Sequence, residues 1–138
     1  MKNAINNPKF FEGGKALFTV SNNKGNHYTF KIRRRKDSPY FVSLLTGPDN
    51  TTNYTYLGIF NQQYKKLVLT HASKMALDSV PVNVFNWAVQ QVYENKQLPE
   101  GYGIQHEGKC CRCGRLLTDN VSIDKGYGPE CSKYLNAF

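Results

Sequence analysis

Hydrophobic and polar positions along residues 15–70 follow a period of two, interrupted by turn-forming clusters. The segment ALFTVS (16–21) is rich in β-branched and aromatic residues, and NNKGN (22–26) has turn composition, with Gly25 free to take positive φ. HYTFKIR (27–33) then alternates cleanly. Tyr28, Phe30 and Ile32 point to one side, and His27, Thr29, Lys31 and Arg33 to the other. This pattern predicts a hairpin with one buried face and a basic outer face. Its second strand continues into Arg34, Arg35 and Lys36 and breaks at Asp37-Ser38-Pro39. YFVSLL (40–45) reads as a third strand. After a long TGPDNTTN loop (46–53) comes a fourth, YTYLGIF (54–60), with Gly58 at a bulge or a close contact. KKLVLT (65–70) is the fifth. About five consecutive strands predict an antiparallel, strongly twisted sheet.

The period then changes. Residues 81–95 place Val84, Phe85, Ala88, Val89 and Val92 at helical spacing, and Pro81 suits a first helical turn. One main helix packing this stripe on the sheet gives an α+β fold. SKMALD (73–78) is a candidate short helix, and LPEGYG (98–103) reads as a linker. Residues 1–103 then form a basic sheet-plus-helix region and 104–138 a separate small lobe of the same compact unit.

A length of 138 residues and 15.7 kDa fits a single domain, and 40% apolar with 20% charged residues is ordinary for a soluble globular chain. No apolar run reaches the length of a membrane span. The opening MKNAINNPKFFEGG lacks the apolar core of a secretion signal, so a cytoplasmic protein is expected. The net charge of +8 is uneven. Residues 1–40 hold nine basic side chains against Glu12 and Asp37, a net of +7, and residues 41–138 carry +1. Such an excess attracts polyanions, nucleic acid first and an acidic protein surface second. Lys31, Arg33, Arg34, Arg35 and Lys36 are the candidate contact residues. Because Arg33, Arg34 and Arg35 alternate sides, at least one turns to the other face or the rim.

All four cysteines, Cys110, Cys111, Cys113 and Cys131, lie near the C-terminal end. In a cytoplasmic chain such clustering favours metal over disulfide. Cys110 and Cys113 form a C-x2-C pair that can converge on one tetrahedral ion, with Gly114 following where the knuckle needs positive φ. In KGYGPEC (125–131), Pro129 fits a helix start and places Cys131 in its first turn, where the helix end favours a thiolate. Knuckle, hairpin and helix start make a zinc-ribbon or treble-clef-like layout. His106, Cys110, Cys113 and Cys131 are the favoured ligands of a structural zinc, with Cys111 as the other candidate for the fourth position. Leu116, Leu117, Val121 and Ile123 supply a small apolar cluster, and Thr118-Asp119-Asn120 is turn chemistry. A lobe this small draws much of its folding energy from the metal.

The string HEGKCCRCGRLLTDNVSIDKGYGPEC (106–131) resembles small zinc-finger proteins of bacteriophages and mobile elements, a family of unknown function. The shared pattern is H-x-G-x-C-x-x-C-G-R-x-L-T, then S-I, then G-x-G-P-E-C. LTGPDNTTNYTYLGIF (45–60) and the region from Trp87 to Leu98-Pro99-Glu100-Gly101 are similar to the same proteins more weakly. Asn120 stands where such proteins usually have proline. The resemblance implies a zinc site and a phage or prophage origin, and it assigns no activity.

Three function classes follow. Nucleic-acid binding draws on the basic third and on Tyr40, Tyr54, Tyr56 and Phe60, which can stack on unpaired bases where they face solvent. At least half of these four are expected in the core instead. A phage-encoded inhibitor of a host defence protein or nuclease, anti-CRISPR-like in action, would use the same cations on an acidic protein. An enzyme is not expected: no nucleophile or general-base pattern surrounds His27 or His71, and no phosphate-cradling glycine motif occurs.

Overall fold

The computed structural model describes residues 3–49 and 52–135. Five strands form where the alternation places them: β1 (Lys15–Ser21), β2 (His27–Arg33), β3 (Tyr40–Leu45), β4 (Tyr54–Asn61) and the short β5 (Lys66–Val68). A sixth, β6 (Gly103–His106), lies in the stretch read as linker and start of the C-terminal lobe. Six strands therefore lie among the described residues, against the five or so expected. GIQH is too short to show alternation, and its register comes from long-range pairing with β1, Phe18 with His106 and Val20 with Ile104. The sheet is antiparallel throughout, in the order β5-β4-β3-β2-β1-β6. Residues 50 and 51 of the 46–53 loop lie outside the described residues.

Helix α1 (Val80–Tyr93) starts with Pro81 in its first turn and buries Val82, Phe85, Ala88, Val89 and Val92 against the sheet. Val84 is only half-buried, so the stripe is rotated slightly from the predicted one. Residues 73–78 are irregular, with a bend at Met75 and a turn at Leu77–Asp78, in place of the expected short helix. Ser73 Oγ accepts from the Thr70 N–H at 2.8 Å and Ser79 N–H donates to the Ala76 carbonyl at 3.0 Å. A stretch this short cannot offset helix nucleation, and serine competes for its backbone groups. Two further helices, α2 (Asn120–Lys125) and α3 (Pro129–Leu135), complete the C-terminal lobe. Asp119, read as turn chemistry, is the N-cap of α2, and its side chain accepts from the Ser122 N–H at 3.0 Å. In the small apolar cluster Leu117 is buried, whereas Leu116 and Val121 are exposed. No helix among the described residues is long and apolar enough to cross a membrane.

Aromatic rings fill the space between α1 and the sheet. Phe85 lies 6.2 Å from Phe18, 5.4 Å from Phe30 and 6.0 Å from Phe60, centroid to centroid. A 3-10 turn over Pro8–Glu12, capped by Asn7 on the Lys9 N–H, adds Phe10 and Phe11 beside Phe18. A strict period of two along β4 would place Tyr54, Tyr56, Gly58 and Phe60 on one face. The ladder with β3 shifts instead: Ser43 pairs with Tyr56 but Val42 pairs with Gly58, so Leu57 is the extra residue of a bulge. Gly58 permits it, because a Cβ there would come within 2.5 Å of the Val68 carbonyl oxygen. Beyond the bulge the strand changes face. Leu57 and Phe60 are buried under α1, and Tyr54, Tyr56 and Ile59 stay half-exposed on the other side.

Truncation at the centre of this packing is expected to cost far more than truncation on the outer face. Phe85→Ala should lower unfolding free energy by about 3–5 kcal/mol in a denaturant titration. Phe41→Ala, on the exposed face, should change it by no more than about 0.5 kcal/mol.

Candidate metal centre and basic sheet face

The C-x2-C turn is a tight hairpin. The Cys110 N–H donates to the Arg115 carbonyl at 2.8 Å, and the Gly114 N–H donates to the Cys110 carbonyl at 2.9 Å. Gly114 has φ +79°, the left-handed conformation that its position demands. Cys131 enters from the first turn of α3. The sulfurs of Cys110, Cys113 and Cys131 lie within 4.8 Å of one another, a set that can hold a metal ion. The surrounding dipoles suit anionic sulfur. The Arg112 N–H points at Cys110 Sγ from 3.5 Å, and Arg112 Nη1 lies 3.6 Å from Cys131 Sγ. Burial pushes the Cys110 thiol up, but backbone N–H groups of Cys113, Gly128 and Arg112, with the Cys113 side chain, bring it down to about 7. Cys131 is raised, chiefly by burial, against the lowering effect of Arg112.

His106 is not brought to these sulfurs. Its Nδ1 accepts the Gly108 N–H at 2.9 Å, which leaves the proton on Nε2 to be donated to the Ile123 carbonyl at 2.7 Å. The ring is buried and stacked on Phe10 at 5.6 Å. Thus the imidazole ties β6 to α2 and to the N-terminal 3-10 turn. Cys111 is fully buried and faces Gly13, where an added Cβ would come within 2.6 Å of its sulfur. Burial, followed by the neighbouring Cys110 and Cys131, pushes its thiol well above the ordinary range. It therefore works as a packing residue: its N–H donates to the Gly126 carbonyl, and its carbonyl accepts from the Lys15 N–H.

The five basic candidates divide into two groups. Lys31 and Arg33 stand on the outer face of β2. Across the strands, Lys15 pairs with Arg33, Arg33 with Phe41, Phe41 with Ile59 and Ile59 with Val68, one continuous row on that face. In the next row Lys31 pairs with Ser43 and Ser43 with Tyr56. The Lys31 ammonium sits 3.8 Å above the Tyr54 ring, and Phe41 lies 6.1 Å from Tyr56. Burial, then Arg33, lowers the Lys31 pKa. Of the four aromatic residues singled out for stacking, Tyr40 and Phe60 are core and Tyr54 and Tyr56 lie outward.

Arg34, Arg35 and Lys36 belong to the β2–β3 turn. Arg34 is the one that turns away: Nη1 donates to the Tyr40 hydroxyl at 2.9 Å, and Nε to the Ser38 carbonyl at 3.0 Å. These three and Arg112 line a groove of about 370 Å³ with Glu12, Asp37 and Tyr134. The charged turn and the cysteine lobe, far apart in sequence, are thus neighbours. Phe41 and Arg112 carry site geometry that the sequence reading passed over. Arg112 sits inside the C-x2-C motif, which was the available signal.

The depressed Cys110 pKa fixes a pH dependence. A thiol that loses its proton more readily when folded stabilises the fold above its ordinary pKa of 9.0 and loses that contribution as pH falls through about 7. A step in thiolate ultraviolet absorbance near pH 7, removed by Cys110→Ser, is expected of metal-free protein whose lobe stays folded; a step at the ordinary 9.0 would show that the lobe needs the metal for its order.

Residues 103–136, about a quarter of the chain, match the model of a family of unknown function (DUF6011). No curated protein and no solved structure matches the chain significantly.

Proposed function

We propose that this protein binds single-stranded nucleic acid on the outer face of its sheet, beside a lobe held together by a structural zinc. The carrying observation is the uncovered row Lys15–Arg33–Phe41 with Lys31, Tyr54 and Tyr56 beside it. Unpaired bases stack on aromatic rings while cations follow the phosphates, and a sheet face that alternates the two meets both demands. Phe41, 41% exposed, is more open than Tyr54 and Tyr56 beside it, which are half-buried. The turn cations Arg35 and Lys36 continue the positive strip toward Arg112 of the lobe.

Zinc is the ion that best fits a cluster of soft thiolates in a tight turn and a helix start. Cys110, Cys113 and Cys131 supply three of its ligands. Both His106 nitrogens are held by backbone groups, so its contribution is to dock the lobe on β6. Bound zinc would neutralise the thiolates and set the geometry of the lobe. Purified protein should contain one zinc by elemental analysis. Cys113→Ser should lose the metal and the order of the lobe, and His106→Gln should keep the metal at lowered thermal stability. Retention of one tightly held zinc by Cys113→Ser would remove that residue from the ligand set.

Fluorescence anisotropy with labelled single strands across a salt series tests the interface. Three phosphate contacts give a slope of about −2 in log K against log salt, and Arg33→Ala should reduce its magnitude by about 0.7. Phe41→Ala should cost about 1–3 kcal/mol of affinity with little change of slope. Absence of binding at low salt, with metal content verified, would end this reading. An acidic protein surface held on the same face would then be sought by pull-down. Such a complex weakens less with salt where aromatic anchors dominate it.

A further inference from the structure

A second concavity lies on the helix side of the sheet, between the N-terminal half of α1, the tip of the β1–β2 hairpin and the loop before β6. Its volume is about 410 Å³, within the range of roughly 300–1,000 Å³ typical of small-molecule pockets. Trp87 and Tyr102 form its aromatic wall, with ring centroids 5.5 Å apart, and Tyr28 and Val84 close the sides. Asn26 and Asn83 also line it, and no charged side chain does. The outer-face cations and Phe41 stand on the opposite side of the sheet, so this site is independent of the nucleic-acid reading.

The cavity is pre-formed. Asn22 Oδ1 accepts the N–H groups of Lys24 and Asn26 at 2.9 and 3.0 Å, which fixes the hairpin tip. Gly101 packs so closely on this tip that an added Cβ would lie 2.6 Å from Asn23 Cβ, which pins the loop carrying Tyr102 to the hairpin. The amides are not spent on this scaffold. Asn83 donates through Nδ2 to the Asp78 carbonyl at 3.3 Å, which leaves Oδ1 as an acceptor. The Asn26 side chain makes no hydrogen bond among the described residues and offers both a donor and an acceptor.

A lining with no basic side chain does not suit an anion, and one with no carboxylate gives a cation no counter-charge beyond the ring faces. Asn26 and Asn83 are exposed at the mouth of the cavity, and an aliphatic guest seated over them would strip their water without pairing them, which costs free energy. A neutral planar ring with a donor and an acceptor on one edge satisfies walls and amides together. An asparagine amide is the bidentate partner of the N6–N7 edge of adenine. We propose that this cavity binds a purine base of the adenine type, with its ring against Trp87 and its amino edge on Asn26 and Asn83.

Trp87 is the sole tryptophan of the chain, so its fluorescence reports on this wall alone. Adenosine titrated into the full-length protein should give saturable quenching under tryptophan-selective excitation. Asn26→Ala should weaken the affinity about ten-fold or more. Val84→Phe, which fills the cavity, should abolish quenching while circular dichroism stays unchanged. Arg33→Ala and Phe41→Ala, on the outer face, should leave it intact. The proposal is overturned if adenosine gives no saturable quenching, if toluene binds as well as adenosine, or if Asn26→Ala leaves the affinity unchanged. Loss of quenching in the outer-face variants would overturn it equally, since the base would then be bound elsewhere.

Discussion

One helix covers one face of the sheet, and most of the architecture follows from that constraint. Phe85 of α1 reaches Phe18, Phe30 and Phe60, which belong to three different strands. Burial of large rings is the main favourable term available to a chain of this size, and it is concentrated on this side. On the other face Lys15, Arg33, Phe41 and Val68 are exposed. Rings and cations on the outer side therefore remain at the surface, paired with one another as Lys31 is with Tyr54.

The same core reaches the cysteine lobe through its N-terminal edge. Phe10 packs on Phe18 and also stacks on His106, whose ring holds the Ile123 carbonyl of α2. The lobe is thus bolted to the sheet by a histidine, and its three sulfurs converge without that residue. A buried imidazole with both nitrogens satisfied by backbone groups contributes to docking and register. Arg112 stands at the junction of lobe and basic turn. Its guanidinium faces Cys131 on one side and the Tyr134 ring, at 3.8 Å, on the other.

Close contacts decide the finer features. Gly58 lets β4 bulge past β5, and the change of face sends Phe60 inward while Tyr56 stays out. Gly13 and Cys111 fit so tightly that the fourth cysteine is fixed as a packing residue. Exposure in both cases follows from the backbone route and is not a property of the residue type.

The amino-acid sequence alone determined the element types over most of the chain. Clean alternation in HYTFKIR, helical spacing from Val84 to Val92, and the C-x2-C turn with Pro129 before Cys131 are local signals, written in neighbouring residues. The antiparallel class and the three convergent cysteines were legible for this reason. Tertiary structure decided what depends on distant partners. The sixth strand exists because β1 offers an edge to GIQH, the β4 bulge because β3 and β5 fix its path, and the place of His106 because Gly108 and Ile123 claim its ring. The meeting of the basic turn with Arg112 belongs to the same class. Long-range pairing energy leaves no periodic trace in the segment it organises, so such features become visible only once the chain is folded.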